Sequence, residues 1–259
     1  MVAFELAVQD SHGLAVAARV GADRIELCSA LPLGGLTPSL AFIEAAVATP
    51  GIPPVHVLVR PRPGGFDYSP DEIALLLRDV RHALNAGASG VVIGGVRDDR
   101  IDSGLVGRVT GICGEVTFHR AIDTLSDPES AIKTLVSYGV KRVLTSAGAA
   151  RVADALPALA ALVRAAGGGL EIMAGGGVRP ESVAAIVGTG VAAIHASAKH
   201  VVAETVGVAL GTAAPAGESG RETTDEAGAL AIRAALARAT GRTVPATPAG
   251  TGRRASPAG

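Results

Sequence analysis

Two side chains with reactive groups stand two positions apart in the stretch RIELCSA, residues 24–30. If this stretch is a β-strand, Glu26 and Cys28 share one face, because successive strand residues point to opposite faces. A buried carboxylate needs a partner or a chemical role, because an unpaired charge is costly to remove from water. Glu26 is therefore a candidate for proton transfer, and Cys28 is a candidate thiolate ligand for a soft metal ion such as Cu(I).

A histidine and a carboxylate follow a second predicted strand. In VTFHRAID, residues 116–123, His119 stands at the strand end and Asp123 lies just beyond it. A histidine near a carboxylate can act as a general acid or base, ligate a metal, or stay neutral as a hydrogen-bonded core residue. The sequence leaves these roles open. It contains no HExxH, CxxC or paired-histidine spacing, so a conventional zinc site has little support.

The stretch VRPRPGGFDYS, residues 59–69, is suited to binding an anion. The guanidinium groups of Arg60 and Arg62 can each hold a carboxylate or a phosphate through two hydrogen bonds. The alternative is an ion pair inside the protein, and for Arg60 we expect such a pair with Glu26 or Glu5. The role of Arg62 stays open.

A glycine-rich stretch, MAGGGVRPES at residues 173–182, offers a second candidate for an anion site. Gly175, Gly176 and Gly177 lie between a predicted strand and a predicted helix, where free backbone N–H groups can hold a negative charge. The stretch matches neither the P-loop nor the dinucleotide-binding fingerprint. A plain tight turn is the alternative.

A recurring pattern predicts the elements that position these residues. Four segments share a helix end, a glycine, a small apolar residue, two variable positions and a strand; they begin at residues 20, 86, 138 and 189. Each interval contains one further strand candidate, at 55–60, 115–119 and 170–173, and FELAV at 4–8 completes a set of eight. Helical patterns fall between the strands, at 11–20, 39–48, 70–86, 127–138, 155–166, 180–188 and 225–239.

Strands that alternate with helices imply an α/β protein with a parallel sheet. Eight such units at near-even spacing favour a closed (β/α)8 TIM-type barrel over an open doubly wound sheet, because an open sheet has unlike edge and central strands. We therefore predict a single domain over residues 1–240. Residues 241–259 are rich in Gly, Ala, Pro, Thr and Arg, and we expect a disordered tail there, because this composition buries little apolar surface.

Aligning the four similar segments separates the two faces of their strands. One face is uniformly branched and apolar and is expected to pack against the helices: Ile25, Val91, Val143 and Ile194. The other face is expected to line the barrel interior with Glu26, Val92, Leu144 and His195, and above them, at the C-terminal rim, with Cys28, Gly94, Ser146 and Ser197. The same alternation brings Glu5, Ala7, His56, Arg60, Thr117, His119, Glu171 and Met173 inward from the remaining strands.

Barrel interiors are ordinarily filled by Val, Ile and Leu, so this charged set is unusual. It predicts a functional pocket at the C-terminal rim, where the active sites of such barrels lie. The alternative is a buried ion-pair network that serves only to hold the strands in register.

Composition excludes several classes of partner. The chain has 259 residues, a formal charge of −1, four Phe, two Tyr and no Trp, so we expect no nucleic-acid partner. Its apolar runs are interrupted by charge, Pro or Gly, which predicts no membrane span. Two cysteines and an N-terminus without signal-peptide character favour the cytoplasm.

Several of these motifs together resemble the CutC copper homeostasis proteins. The matching stretches are GADRIELC, GGLTPS, VRPRPGGFDYS, VTFHRAID, RVLTS, MAGGGV and IHASA, and they span roughly residues 4–200. The resemblance implies a cytoplasmic TIM-type barrel that handles copper, binds Cu(I) and forms a homo-oligomer, either a dimer or a tetramer. Two positions depart from the family pattern: Ala7 stands where members commonly have a cysteine that pairs with the one at Cys28, and Pro63 is inserted in the arginine stretch.

Two functions follow as expectations. The first is copper homeostasis through a Cu(I) site at Cys28, with His195 or Met173 as a further ligand. The second is an enzyme for a small anionic substrate that is held by Arg60, Arg62, the glycine amides and Ser197. In the enzyme, Glu26, His119 and Asp123 are the candidate catalytic residues. A scaffold without a site is the third possibility, and it requires the interior charges to neutralise one another.

Overall fold

The structure, a computed structural model, describes residues 2–206 and 217–241 of the chain. Its strands are β1 (Ala3–Val8), β2 (Arg24–Leu27), β3 (Val55–Leu58), β4 (Gly90–Ile93), β5 (Val96–Arg97), β6 (Arg100–Ile101), β7 (Val116–Phe118), β8 (Arg142–Thr145), β9 (Glu171–Ala174), β10 (Ala193–Ala196), β11 (Lys199–Val206) and β12 (Gly217–Thr224). Its α-helices are α1 (Ser11–Val20), α2 (Leu40–Ala48), α3 (Pro70–Asn85), α4 (Ser103–Thr110), α5 (Pro128–Ser137), α6 (Leu156–Ala166), α7 (Val183–Val187) and α8 (Glu226–Thr240).

Eight parallel strands close into a barrel, in the order β1-β10-β9-β8-β7-β4-β3-β2. This confirms the predicted (β/α)8 architecture, and all eight predicted strands belong to the barrel. Two hairpins were not predicted: β5 pairs with β6, and β11 pairs with β12. Helix α4 completes the ring of helices, and α8 ends at Thr240, at the predicted end of the domain. Residues 242–259, which hold nearly all of the predicted tail, lie outside the described residues.

The helix ends follow from short-range hydrogen bonds. Ser69 accepts a hydrogen bond from the Glu72 N–H, and the Glu72 side chain accepts one from the Ser69 N–H, which together form a capping box at the start of α3. Asp10 caps α1 in a similar way, and α1 ends at Gly21 in the left-handed conformation. These caps place each helix end, and therefore the loops that follow each strand.

The two faces of the strands separate as predicted. Ile25, Val91, Val143 and Ile194 belong to the large apolar core between the barrel and its helices. The interior contains two small apolar clusters, one of Cys28, Leu58 and Val92 and the other of Leu144, Met173 and Ala193. Buried charged side chains occupy the remaining interior.

Two interior residues, Arg24 and Arg142, were missing from the predicted set. Each is about 93% buried and pairs with a carboxylate, Arg24 with Glu5 and Arg142 with Glu171. Glu171 begins β9 at the N-terminal end of the barrel, and its side chain is 46% exposed there. None of the helices in the described part of the chain has the length and apolar character needed to cross a bilayer.

Candidate functional site

A cavity of about 320 Å³ opens at the C-terminal ends of the barrel strands. We call it the rim cavity, and the predicted residues that line it are Glu26, Arg60, His119, Gly176, Gly177, His195 and Ser197. Its volume lies within the range of small-molecule sites. The predicted residues that do not line it are Cys28, Arg62, Asp123 and Gly175.

Glu5 connects three strands beneath the rim cavity. Its Oε1 lies 2.7 Å from His195 Nδ1 on β10, and its Oε2 accepts a hydrogen bond of 2.6 Å from Arg24 Nε on β2. Burial acts to raise the pKa of Glu5, but the hydrogen bond and charge of His195, together with Arg24, outweigh burial and lower this pKa to about 2. Glu5 is therefore an ionised carboxylate that orients the His195 ring.

Glu26 lines the cavity with a carboxyl group that has a weaker partner. Its Oε2 lies 3.7 Å from His195 Nε2, beyond hydrogen-bond distance. Burial, together with the charge of Glu5, raises the pKa of Glu26 to about 7, although the charge of His195 acts against this. A carboxyl group with a pKa near neutrality can both accept and release a proton, as a general acid or base requires.

His195 completes this interior group. Burial acts to lower the pKa of the imidazole, but the negative charges of Glu26 and Glu5 outweigh burial and raise the pKa. The ring therefore lies between an ionised carboxylate at Nδ1 and the titrating Glu26 near Nε2. This arrangement holds a proton within reach of Glu26.

His119 also lines the cavity, but it is not a base. Burial, and after it the charge of Arg60, lower its pKa to about 3. Its Nδ1 accepts a hydrogen bond of 3.1 Å from the Ala121 N–H, and its buried Nε2 has no hydrogen-bond partner among the described residues. The ring is thus neutral and lacks a free lone pair to accept a proton, because the proton of the neutral ring must reside on Nε2.

Arg60 binds backbone carbonyls instead of the interior carboxylate that we expected. Its Nη1 donates to the carbonyl oxygens of Leu33 and Gly35, and its Nη2 donates to that of Gly64. The expected ion pair was wrong because Arg24, on the neighbouring strand, already occupies Glu5. Arg60 is 6% exposed, and among the described residues it forms no ion pair with a carboxylate.

Arg62, predicted as a second anion-binding residue, points away from the cavity. Its guanidinium group forms an ion pair with Glu72 of α3 and lies 5.2 Å from the centre of the Tyr68 ring. The two arginines of the VRPRP stretch therefore face different surroundings, because residues two apart diverge once the strand has ended. Of these two arginines, Arg60 lines the rim cavity and Arg62 does not.

Asp123, a candidate catalytic residue, holds a second arginine at the rim. Its carboxylate accepts hydrogen bonds from Thr145 Oγ1 and from the N–H and hydroxyl groups of Ser146. It also accepts a hydrogen bond of 2.8 Å from Arg120 Nε, and Arg120 lines the cavity. With its oxygens engaged in this way, Asp123 is placed to position Arg120.

The glycine-rich stretch contributes backbone to the cavity wall. Gly176 and Gly177 line the cavity with φ of 100° and 68°, a conformation that favours glycine. Gly175 has another role, because a Cβ there would come within 2.5 Å of the Leu144 side chain. Ser197, which follows β10, completes this wall.

Cys28 does not fit a copper site in these surroundings. The fully buried thiol packs with Leu58 and Val92 and donates a weak hydrogen bond of 3.6 Å to the Val8 carbonyl. Burial, and then the charge of Glu26, raise the pKa of this thiol well above its ordinary range, which disfavours the thiolate that Cu(I) requires. The further ligands suggested by the sequence are engaged, because Met173 Sδ accepts from Arg24 and His195 binds Glu5.

The described residues contain no group of three or more His, Cys, Asp or Glu side chains placed to hold a metal ion. Ala7, the residue at which the resemblance predicted a departure from the family pattern, lies beside Glu26 in the β1–β2 register. Cys113, the other thiol, donates to the Glu115 carbonyl just before β7, remote from the rim. We therefore derive no chemical step through copper.

Two residues of the site, Arg24 and Arg120, were not among the site residues predicted from the sequence. Arg24 precedes Glu26 by two positions and so shares its face, a signal that strict alternation could have provided. Arg120 follows His119 on a short 3₁₀ helix over residues 120–124, where strand alternation no longer applies. Its position depends on Asp123 and Ser146, which are remote in sequence from each other.

Comparisons with known proteins agree with the resemblance. The CutC family model matches residues 2–200. A family protein CutC from Agrobacterium fabrum is 41% identical over 239 residues, which cover 90% of this chain and 93% of that protein. The human copper homeostasis protein cutC homolog is 40% identical over 199 residues, 75% of this chain and 72% of that one. The putative copper homeostasis protein CutC from Streptococcus agalactiae matches with a TM-score of 0.71 and 30% identity, and the match covers 76% of this chain and 99% of that one.

Proposed function

This chain belongs to the CutC family, and from that premise we propose that its rim cavity binds a small organic anion and that Glu26 transfers a proton to or from the bound molecule. The protein on this proposal is an enzyme, and its substrate carries a carboxylate or a phosphate group. The reaction takes place at the C-terminal ends of the strands, where barrels of this type place their chemistry.

The observation that carries this proposal is the charge of Arg60. A buried guanidinium group without a carboxylate partner is costly. Backbone carbonyl groups accept from Nη1 and Nη2 of Arg60 but do not neutralise its charge, and its buried Nε has no partner among the described residues. Arg60 lines the rim cavity and is 6% exposed, with its charge unbalanced among the described residues. An anionic ligand in the cavity supplies the missing negative charge.

Proton transfer follows from the interior group beneath the cavity. Glu26 has a pKa of about 7 and lies 3.7 Å from His195, whose ring is oriented by Glu5. A bound anion therefore meets a carboxyl group that is partly deprotonated near neutral pH, next to an imidazole that stabilises its charge. Arg120 and the backbone of Gly176 and Gly177 stand at the opposite wall.

Substitution of the two neighbouring arginines tests anion binding. We expect Arg60→Met to weaken the binding of phosphate, malonate or pyruvate by about 10-fold to 100-fold, the loss of a charged hydrogen-bonding group. Arg62→Met is the matched control, because Arg62 pairs with Glu72 outside the cavity. Isothermal titration calorimetry measures both affinities.

Arg60 also holds two loops, so a second variant separates binding from loop structure. Ser197→Ala removes one hydroxyl group from the cavity wall and is expected to weaken the same anions several-fold, at the cost of one neutral hydrogen bond. Equal affinities for the wild type, Arg60→Met and Ser197→Ala would contradict the proposal. So would an equal loss in Arg60→Met and Arg62→Met.

Copper homeostasis is the second candidate function. The names of the human and streptococcal relatives support it. The thiol that it requires is Cys28, which packs with Leu31 and Leu58 of the cavity wall. On this candidate, Cys28→Ser abolishes stoichiometric Cu(I) binding and Cys113→Ser does not. A competition titration with a Cu(I) chelator measures the difference, and tight binding that survives in Cys28→Ser excludes the site.

Location and assembly remain predictions that accompany both candidates. The family resemblance favours the cytoplasm and a homo-oligomer, either a dimer or a tetramer. Cell fractionation tests the cytoplasmic location, and analytical ultracentrifugation of the purified chain gives the mass of the oligomer.

A further inference from the structure

His119 presents an unpaired hydrogen-bond donor at the rim cavity. Because Nδ1 accepts from the Ala121 N–H at 3.1 Å, the proton of the neutral ring resides on Nε2. Within the part of the chain that the structure describes, this Nε2–H has no hydrogen-bond partner, although His119 is 6% exposed and such buried groups are ordinarily paired. A partner is therefore expected from a ligand that enters the cavity.

The surroundings of His119 keep this donor dry and uncharged. The Phe66 ring packs against the imidazole with 5.0 Å between ring centres and shields it from solvent. The charge of Arg60, which lies 5.1 Å from the centre of the same Phe66 ring, disfavours a second proton on the imidazole. A neutral N–H in a site that excludes water suits an oxygen that gains negative charge during a reaction.

Glu26 provides the complementary group in the same cavity. Its carboxyl group lines the cavity from β2, whereas His119 lines it from the end of β7. One side chain can thus remove a proton from a bound molecule while the other donates a hydrogen bond to a different atom of that molecule. A carbonyl compound with a hydrogen on the neighbouring carbon uses both groups at once.

We propose that the substrate is a small anionic carbonyl compound and that the reaction begins with removal of the proton next to its carbonyl group, with Glu26 as the base and His119 as the donor to the carbonyl oxygen. This inference rests on the function proposed above and specifies the substrate class and the first step. Arg60 then binds the acidic group of the substrate, remote from the reacting carbon.

The step needs no further reactant. The Glu26 carboxylate takes the proton, and the electron pair of the C–H bond forms a C=C bond. The π-electron pair of the carbonyl group moves onto oxygen, where the Nε2–H of His119 stabilises it as an enolate. Return of the proton from Glu26 to the same carbon restores the substrate. In a hydroxycarbonyl compound, its return to the former carbonyl carbon gives an isomer when the hydroxyl proton also passes to the former carbonyl oxygen and the hydroxyl-bearing carbon becomes the new carbonyl.

The cavity favours this route over one through an amine nucleophile. Lysine is absent from the described residues that line it, so a covalent imine with the substrate has no side chain to form it. Enolate formation that depends on hydrogen bonds and a carboxylate base is the chemistry that the lining residues support.

Exchange of carbon-bound hydrogen with solvent tests the proposal. The probes are pyruvate and dihydroxyacetone phosphate in D₂O, and ¹H NMR follows the loss of the C–H signal next to the carbonyl group. We expect the wild type to accelerate exchange over buffer, and Glu26→Gln to reduce the accelerated rate by about 100-fold or more. The matched control is Glu115→Gln, an exposed position at the opposite end of the barrel, and it is expected to exchange at the wild-type rate.

Substitutions of His119 separate a hydrogen-bond role from a packing role. His119→Leu removes the N–H and is expected to slow exchange by about 100-fold, with a much smaller effect on probe affinity. His119→Gln keeps an N–H near the position of Nε2 and is expected to recover part of the rate. The control is His82→Gln in the last turn of α3, where the side chain is exposed.

Probe binding is measured on the same samples, so that the two proposals can fail separately. Binding of a probe without accelerated exchange overturns the inference and leaves the anion site in place. Exchange that persists in Glu26→Gln overturns it as well. Absence of binding for phosphate, malonate and both carbonyl probes removes the function proposed above and this inference together.

Discussion

Glu5 and Glu26 have the same functional group on neighbouring strands, yet their surroundings shift their pKa values in opposite directions. Glu5 receives hydrogen bonds or close contacts from both His195 and Arg24, and its pKa falls to about 2. Among the residues that the structure describes, Glu26 has only His195 as a charged partner, at 3.7 Å, so burial dominates and its pKa rises to about 7. Two carboxyl groups whose surroundings separate their pKa values in this way are typical of acid–base sites.

At the residue scale, the raised pKa of Glu26 predicts a pH-dependent contribution to stability. The folded state holds the Glu26 proton more tightly than the unfolded state, so this contribution is complete below about pH 4.5 and is lost as the pH rises through about 7. The difference in unfolding free energy between wild type and Glu26→Gln should therefore fall as the pH rises from about 5 to about 8, by up to about 1.4 kcal/mol per pH unit. Urea unfolding at several pH values measures this difference.

Glu115→Gln, at an exposed position before β7, serves as the control, and its unfolding free energy should parallel that of the wild type at every pH. A difference between wild type and Glu26→Gln that stays constant over the same range would show that Glu26 titrates at its ordinary pKa.

At the element scale, the end of each barrel strand decides what reaches the cavity. Strand β4 ends at Ile93, and Gly94 then passes directly beneath the His119 ring. Any side chain at position 94 would overlap the imidazole and also come within 3.0 Å of the Ala121 Cβ. Because Gly94 has no side chain, there is room for the His119 imidazole, which follows the neighbouring strand β7.

Gly94→Ala is expected to destabilise the protein by about 1 to 3 kcal/mol, because the added methyl group overpacks a buried region. Gly114→Ala is the matched control, because a Cβ at Gly114 meets no atom within 4 Å. Urea unfolding of both variants gives the comparison. Equal stability of Gly94→Ala and Gly114→Ala would mean that the His119 ring can move aside at little cost.

The sequence predicts the elements better than the contacts between them. Glycine at the helix ends and the repeated strand pattern indicate all eight barrel strands, and alternation correctly places Glu5, Glu26 and His195 in the interior. Alternation cannot show which charges pair, because that depends on neighbours from distant parts of the chain. For this reason an ion pair of Arg60 with Glu26 or Glu5 was predicted, whereas in the structure Arg24 binds Glu5.

The loops were less predictable for a related reason. Arg62 and Arg120 both follow strand ends, and hydrogen-bond partners decide the direction of each side chain. Glu72 binds the first, and Asp123 together with the distant Ser146 binds the second. Strand β12, GESGRETT, has none of the branched apolar residues by which strands are recognised. At these positions the local sequence pattern does not indicate the structure.

At the scale of the whole molecule, Glu5 helps to close the barrel. Its carboxylate joins β1 to β2 through Arg24 and β1 to β10 through His195, so it spans the junction between the first and the last strand of the barrel. Breaking a buried ion pair leaves an uncompensated charge, which is more costly than replacing both partners by apolar groups.

Arg24→Met is therefore expected to destabilise the protein by about 3 to 5 kcal/mol. Combining it with Glu5→Leu should cost less than the sum of the two single substitutions, and the double-mutant cycle measured by urea unfolding reports this coupling. Arg19→Met is the control, because the Arg19–Glu226 pair lies on the surface between α1 and α8 and is expected to contribute about 0 to 1 kcal/mol. Additive effects of Arg24→Met and Glu5→Leu would refute the assigned role of this pair.

The chain leaves the barrel to form the β11–β12 hairpin and returns from the hairpin at nearly the same point. The Asp225 N–H donates a hydrogen bond of 2.7 Å to the Ala198 carbonyl, so the residues on either side of the hairpin touch each other. The family match ends at residue 200, before almost all of this segment. The two ends of the segment therefore lie together, a geometry that suits the grafting of a new domain at this junction. Strand β12 also contacts the barrel, because Gln9 Nε2 donates to the Glu222 carbonyl, so a graft that keeps this strand keeps the contact.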